Sequence, residues 1–441
     1  MSQNTATRSG DITKFLITGS DGKKSIDLSA AAMEIYYYED VFQPSIEVRA
    51  TIFETGLTDN ESIGPLGILD ALPVRGGEKV FLDIEDNQRN VNKLSFKKEK
   101  ALYVNRVSNV EPGTQKQLYS IELCPREYLS NNQTRVIKRY DGPISVNVGK
   151  ILENVLKTKK NKYIDATNNP YNFIGNDKKP FYICSWLAGK SVPELNNAKA
   201  GFFFFETYDG YNFKAIDNLL NGKEKKKYIL TGMPQDNDDY DGKILSVNQS
   251  RYIDLERNLN LGVYANRTLY FDYVKMEYKV REYSISDQKD KVNNAGKQQL
   301  DWTSEEFSQG PSRLMSHVLD IGTLPSGTTP QKQLETWKNN PDGYKAATWD
   351  AYNAMSQSVM RYNQLFTIKT DVIIAGDFSL RAGDLIYCEF PTMTVDRNKP
   401  VNKQTGGIYM IASLCHRVTR EDCYTSLTLV RDTFGRTPWK D

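Results

Sequence analysis

The chain has 441 residues, 39% hydrophobic and 25% charged, with 57 basic and 55 acidic residues and a formal net charge of +2. That balance gives no global pull towards nucleic acid. No apolar run approaches the ~20 residues of a membrane span, and the opening MSQNTATRSGD lacks the apolar core of a signal peptide. At roughly 100–200 residues per core, the length implies two to four domains of a soluble protein.

Residues 1–11 read as a flexible arm, and β patterning begins at Ile12. Ile12–Thr18 is a short strand, and Ala32–Tyr38 and Ser45–Glu54 are two runs around a Gln-Pro turn. In the second run Ile46, Val48, Ala50 and Ile52 share one face against Glu47, Arg49 and Thr51, the alternation of a strand with one buried side. Gly67–Leu72 is a short helical piece. Lys79–Asp86, Leu94–Glu111 and Gln117–Leu123 bring the total to about six strands, enough to close a small barrel.

Pro125 ends this block. Arg126–Asn132 and Ser145–Lys157 read as helices, the second with Val148, Ile151, Leu152 and Val155 as its apolar stripe and Ser145 as its N-cap. Pro180–Lys190 suits a third helix. Gly201–Ala215, GFFFFETYDGYNFKA, is a hairpin about an Asp-Gly turn. Successive strand side chains point to opposite faces, so Phe202, Phe203, Phe204 and Phe205 require cover on both sides.

Ile244–Asn258 fits a strand passing into a helix or long loop, and Gly262–Arg281 is aromatic and partly alternating. Ser286–Gln309 is a polar excursion. Ala346–Asn363 is a helix in which Trp349, Tyr352, Met355, Val359 and Tyr362 recur at three-to-four spacing. The last β block runs from Gln364 to Pro391 and from Gly406 to Asp432, with two Ala-Gly-Asp turns and a hairpin about Arg420–Asp422. Tyrosine is abundant, at 26 residues, and serves both strands and interfaces.

The expected fold class is therefore α+β, mainly β: two β-barrel domains with an α/β insert and a helical or irregular insertion. The expected boundaries are an arm at 1–11, a first barrel at 12–124, an α/β insert at 125–225, a second barrel split into 226–285 and 361–435, an insertion at 286–360 and a tail at 436–441.

Chemistry-bearing residues are sparse. His317 and His416 are the two histidines. A strand neighbour of Cys415 points the opposite way, so Cys415 and His416 do not form a nucleophile–base pair. His416 reads as structural, and His317 as a surface residue of a helix or loop. The five cysteines, Cys124, Cys184, Cys388, Cys415 and Cys423, are odd in number with no CxxC, as in a reduced cytosolic protein. Cys415 and Cys423 flank a turn and could face each other across a hairpin.

No HExxH, calcium loop or phosphate-binding glycine loop is present, and no metal or cofactor is expected. The carboxylates of Asp236–Asp241 read as a solvated loop. No carboxylate pair stands out as a glycosidase site. Three basic runs, Lys97–Lys100, Lys157–Lys162 and Lys223–Lys227, read as solvated loops, with contact to an acidic partner protein or a transiting nucleic acid as the alternative.

The order of CPREYLSNN, SVNVGKILENVL, FFFFETYDGYNFKAID, GVYANRTLYFDYVKMEY, RAGDLIYCEFP and GGIYMIASLCHRV…YTSLTLVRD resembles the central baseplate hub protein of T-even-like contractile-tailed bacteriophages. It is most similar to versions from large marine or cyanobacterial myoviruses. The resemblance spans about residues 10 to 435 and implies that each barrel is like a tail-tube subunit. It implies a non-enzymatic homotrimer that adapts a threefold spike below to a sixfold tube above. Expected partners are the central spike protein, tail-tube or tube-initiator proteins, and baseplate wedge proteins. Genome DNA passes the lumen without specific binding, and no membrane is involved.

The implied location is the virion baseplate, with assembly in the host bacterial cytoplasm. Tyr36, Tyr37, Tyr38 and Phe202, Phe203, Phe204 and Phe205 are the candidate core or interface residues. The competing readings are a tail-associated cell-wall hydrolase and a spike-type protein of another contractile injection system. The absence of an oligonucleotide-binding barrel and needle before Asp441 disfavours the latter.

Overall fold

The computed structural model describes residues 9–437, except 56–66, 195–199, 231–241, 273–275, 287–291, 301–309, 323–350, 394–401 and positions 21, 23, 73, 89, 112, 114, 115, 170, 299 and 321. The protein is mainly β. The first block holds β1 (Asp11–Thr18), β2 (Ser25–Asp27), β3 (Ala32–Asp40), β4 (Glu47–Glu54), α1 (Ile68–Ala71), β5 (Lys79–Glu85), β6 (Lys93–Phe96), β7 (Leu102–Glu111) and β8 (Gln117–Pro125). The middle holds α2 (Arg126–Gln133), β9 (Arg139–Tyr140), α3 (Ile144–Lys150), β10 (Asn161–Ile164), β11 (Phe173–Ile174), α4 (Pro180–Ala188), β12 (Phe202–Thr207), β13 (Gly210–Ala215) and α5 (Ile216–Leu220).

Then come β14 (Lys227–Ile229), β15 (Ile244–Arg251), α6 (Leu255–Asn260), β16 (Ala265–Asp272), β17 (Glu277–Ser284), β18 (Arg313–Val318) and α7 (Ala351–Gln364). The chain closes with β19 (Ile368–Ala375), β20 (Leu385–Glu389), β21 (Gly407–Thr419) and β22 (Cys423–Arg431).

Among the described residues no closed barrel is formed, so the mainly-β expectation holds and the expected two-barrel arrangement is not confirmed. The N-terminal and C-terminal strands instead share one 14-stranded sheet, whose main path runs β15-β19-β22-β21-β3-β4-β8-β7-β5-β1-β2. The joint is β21. This strand has 13 residues, and along one edge its first half pairs with β20 and its second half with β3. Tyr38 lies opposite Cys415 and Tyr36 opposite Arg417. One core then runs continuously from Phe15 and Val48 to Ile411 and Leu429. A strand long enough to serve two partners fuses what the turn spacing suggested were separate units.

Alternation decides the faces. Ile46, Val48, Ala50 and Ile52 are all buried, with Glu47 and Arg49 exposed between them. The middle of the chain builds a second core from α3, α4 and the small sheet β10-β13-β12. Helix α3 starts one residue before Ser145, with Pro143 as its N-cap. Ser145 is not the cap because its backbone N–H and hydroxyl are both engaged by Thr167. The helix continues as a π turn over Ile151–Val155.

Two further departures concern the C-terminal half. His317 lies in β18, paired in parallel with β16 opposite Tyr270, and not in a helix or loop. Of the expected helix Ala346–Asn363, residues 346–350 lie outside the described residues and the rest is α7. Most of the polar excursion and all of Asp236–Asp241 also lie outside them.

Candidate assembly site

The β12–β13 hairpin is a wedge between two cores. Phe202 and Phe204 face the α/β core with Phe181, Tyr211 and Phe213. Phe203 and Phe205 face a third core with Val41, Leu365, Leu385, Met410 and Val430. All four rings are nearly inaccessible to solvent. Phe203 also meets Phe42 and Tyr362 edge-on, at centroid distances of 5.1 and 5.3 Å. The Tyr362 hydroxyl donates to the Phe202 carbonyl, so α7 is bonded to the strand it covers.

Buried charges pin the tip of this hairpin to the large sheet. Glu206, fully buried, accepts from Lys160 Nζ at 2.5 Å, Ser45 Oγ at 3.2 Å and the Ile46 N–H at 3.2 Å. Glu39 of β3 accepts from the Tyr37 hydroxyl at 2.5 Å and from the N–H groups of Tyr208 and Ala382, each at 2.7 Å. Arg381 reaches Asp209 at 3.0 Å and lies over the Tyr208 ring, whose other near cation is Lys100 at 3.6 Å. The Glu206–Ile46, Glu39–Tyr208, Glu39–Ala382 and Arg381–Asp209 contacts each join residues more than a hundred positions apart, so no local pattern announces them.

A third anchor is Arg361 of α7, buried against Asp217 at 3.0 Å and Asp432 at 3.3 Å, with Gln364 and the Asn293 carbonyl completing its fork. Burial works against the guanidinium charge, but attraction to the two carboxylates outweighs it and raises its pKa.

Tyr37 lies in the main core, its ring parallel to that of His416 at 5.7 Å. Tyr36 and Tyr38 lie half-buried on the other face of β3, stacked at 6.2 Å. That outer face also carries Arg49 between Glu47 and Glu122, and Arg417 beside Glu34. A trough of 640 Å³ crosses it past Tyr38, Asp40, Glu47, Asn248, Asp371 and Cys415.

His416 is fully buried, with Nδ1 at 2.8 Å from Thr425 Oγ1. Cys415 is half-buried on the opposite face, opposite Ser426, while Cys423 lies opposite Val418. The two sulfurs therefore do not meet across the hairpin, and all five cysteines are free. Among the described residues no group of three or more His, Cys, Asp or Glu is placed to hold a metal ion, and no helix is long and apolar enough to cross a membrane.

Burial raises the Glu39 carboxyl from 4.5 to about 7, against the pull of Arg381 and its three donors. Burial, and then repulsion from Arg381, lowers the His416 imidazole from 6.5 to about 3. The two act in opposite senses. The raised carboxyl contributes stability that is complete below about pH 4.5 and is lost as pH rises to about 7. The lowered imidazole contributes stability that is complete above about pH 6.5 and is lost as pH falls towards about 3. Removing the Glu39 term with Glu39→Gln should leave a stability that rises more steeply from about pH 4.5 to 7 than that of the parent. Thermal melts across this range check it, and parallel profiles for parent and variant would refute it.

The remaining surface feature is the sheet β17-β16-β18. Its inner face meets α7, where the Tyr270 hydroxyl bonds the Tyr352 carbonyl at 2.7 Å. Its outer face sets Leu269 beside Val280, and Phe271 between Tyr278 and Val318. Leu314, Tyr278, Val280 and Val318 are more than half exposed there.

No family model and no curated protein matches the sequence. Solved structures do match its fold. The 43 kDa tail protein of prophage MuSo2 from Shewanella oneidensis aligns over 95% of this chain and 99% of its own, with a TM-score of 0.53 at 9% identity. The tail protein from Neisseria meningitidis MC58 aligns over 96% and 97%, with a TM-score of 0.51 at 9% identity. At this identity the likeness establishes the fold alone: over almost its whole length the chain shares the fold of these two tail proteins.

Proposed function

We propose that the protein is a structural hub of a contractile phage tail, working in the virion baseplate after assembly in the host cytoplasm. Three copies form a ring that adapts a threefold spike to a sixfold tail tube, with wedge proteins around it and a central channel for the genome. The observation that carries this reading is a mainly-β fold shared over almost the whole chain with two tail proteins, in a sequence whose motif order resembles baseplate hubs.

Two features of the chain agree with it. Both histidines serve packing: His416 is buried in the main core, and His317 packs near the Tyr270 ring at 6.4 Å. The outer face of β17-β16-β18 leaves adjacent apolar side chains uncovered, as an assembling subunit requires. An obligate ring of this kind should bury more than ~2,000 Å² per interface.

Light scattering on the purified chain, alone and with its cognate spike protein, tests the proposal. The expected species is a trimer of about 151 kDa, three times the 50.3 kDa chain. A monomer that stays monomeric with the spike present would overturn it. A peptidoglycan zymogram should show no clearing by the chain alone, and a cleared zone would favour the hydrolase reading instead.

A further inference from the structure

The basic runs are exposed in part, but many of their charges are already committed within the chain. Most of their lysines are neutralised within the chain. Lys97 pairs with Asp83, Lys160 with Glu206 and Glu127, and Lys162 with Glu153. Lys225, Lys226 and Lys227 pair with Asp384, Asp377 and Glu389. Lys100 lies over Tyr208.

Three of the lysines left over lie together. Lys98, Lys157 and Lys159, from two different runs, converge with Lys79 on one cleft of 440 Å³. Among the described residues none of these four has a carboxylate within ion-pair distance, although the Lys79 ammonium lies 5.1 Å from the Phe81 ring. Arg126 also lines the cleft, but its guanidinium is committed to the carbonyls of Leu156 and Lys157, at 3.0 and 2.8 Å, and to Glu127. Glu127 is buried and held by Arg126, Thr158 and Lys160. Glu99 is the one exposed carboxylate on the rim.

The backbone adds a second, independent observation. Lys98 and Lys157 both hold left-handed conformations, at φ of 50° and 51°. Asn and Asp visit this region readily, but for lysine it is uncommon. Strained residues of this kind concentrate at binding and switching sites. Here the two line the same cleft, from segments 59 positions apart in sequence. Gathering like charges without internal compensation opposes folding, so the cluster calls for an external anion.

We propose that this cleft binds an acidic segment of a partner protein, one whose Asp and Glu side chains enter among Lys79, Lys98, Lys157 and Lys159. The lining favours a protein over a nucleic acid. None of its residues is aromatic, so no platform for base stacking exists. Glu99 would oppose a phosphate backbone, whereas a protein segment can offer it a basic residue. The inference is independent of the hub reading and holds for any partner of this chemistry.

The test uses the full chain and two fluorescent probes, an oligoglutamate peptide and a short DNA duplex, followed by anisotropy. Lys98→Gln/Lys157→Gln/Lys159→Gln should weaken oligoglutamate binding by about tenfold, as expected for three exposed charge contacts of ~0.5 kcal/mol each. The weakening should shrink as salt is raised. Lys24→Gln/Lys138→Gln/Lys150→Gln removes the same charge at exposed sites elsewhere and should leave binding near the parent value. All substituted side chains are exposed, so circular dichroism should report the parent fold for both variants. An equal loss in the two variants would reduce the effect to net charge and overturn the proposal. So would no oligoglutamate binding by the parent, or duplex binding that alone depends on the cleft lysines.

Discussion

Replacing Arg361 with methionine is expected to lower stability by roughly 3–5 kcal/mol, because it leaves two buried carboxylates without their cation. Asp217 and Asp432 are each almost inaccessible, and Arg361 is the only cation within ion-pair distance of either among the described residues. Neutral donors remain, the Asn293 N–H to Asp217 and the Ala295 N–H to Asp432, and these soften the loss without removing it. The stake is large against a total stability of roughly 5–15 kcal/mol for an ordinary domain. The arginine ties α7 to the start of α5 and to the end of β22, so the elements that clamp the aromatic hairpin should loosen together. Urea denaturation measures the shift in midpoint. Adding Asp217→Asn and Asp432→Asn to Arg361→Met should recover part of it, since removing the whole charged set leaves no orphaned ion. A single variant as stable as the parent would show that the cluster contributes nothing net.

Phe203→Asp and Phe204→Asp are each expected to abolish folding, for reasons that differ in place and not in kind. An aspartate at 203 would be sealed into the core under α7, and one at 204 into the core of α3 and α4. Both cores present apolar and aromatic side chains there, and a buried unpaired carboxylate costs at least several kcal/mol. The milder Phe203→Ala and Phe204→Ala should cost about 3–5 kcal/mol each. Hydrogen exchange separates them: the first should expose amides of α7, the second those of α3 and α4. Soluble, assembly-competent protein from both aspartate variants would remove the hairpin from the role argued for it.

Local pattern made many of these elements legible. Ile46, Val48, Ala50 and Ile52 alternate because a strand repeats every two residues, and their burial follows once one face meets a core. The Phe202–Phe205 run could be read as doubly covered for the same reason, and the Arg420–Asp422 turn between β21 and β22 is marked by its own residues. Ser145 misled because capping is a contest. Thr167, 22 positions away, engages both its N–H and its hydroxyl, so the helix begins earlier on Pro143. The lysine runs misled similarly. Partners such as Asp384 and Glu389 come from β20 and the loop before it, which no local window of sequence around Lys225 and Lys227 contains.

What the sequence determined by itself was many of the strands and helices, the two-sided hairpin and the sparse supply of catalytic side chains. All of these follow from residue type and short-range period. Tertiary structure alone decided three other things. It joined both β blocks into one sheet through β21, it buried Glu39, Glu206 and Arg361 among partners far along the chain, and it left four lysines facing one cleft. The physical reason is the same in each case. Strand pairing and charge pairing are set by which surfaces meet, and an unpaired edge or a buried ion takes the partner that packing delivers, whatever its distance in sequence.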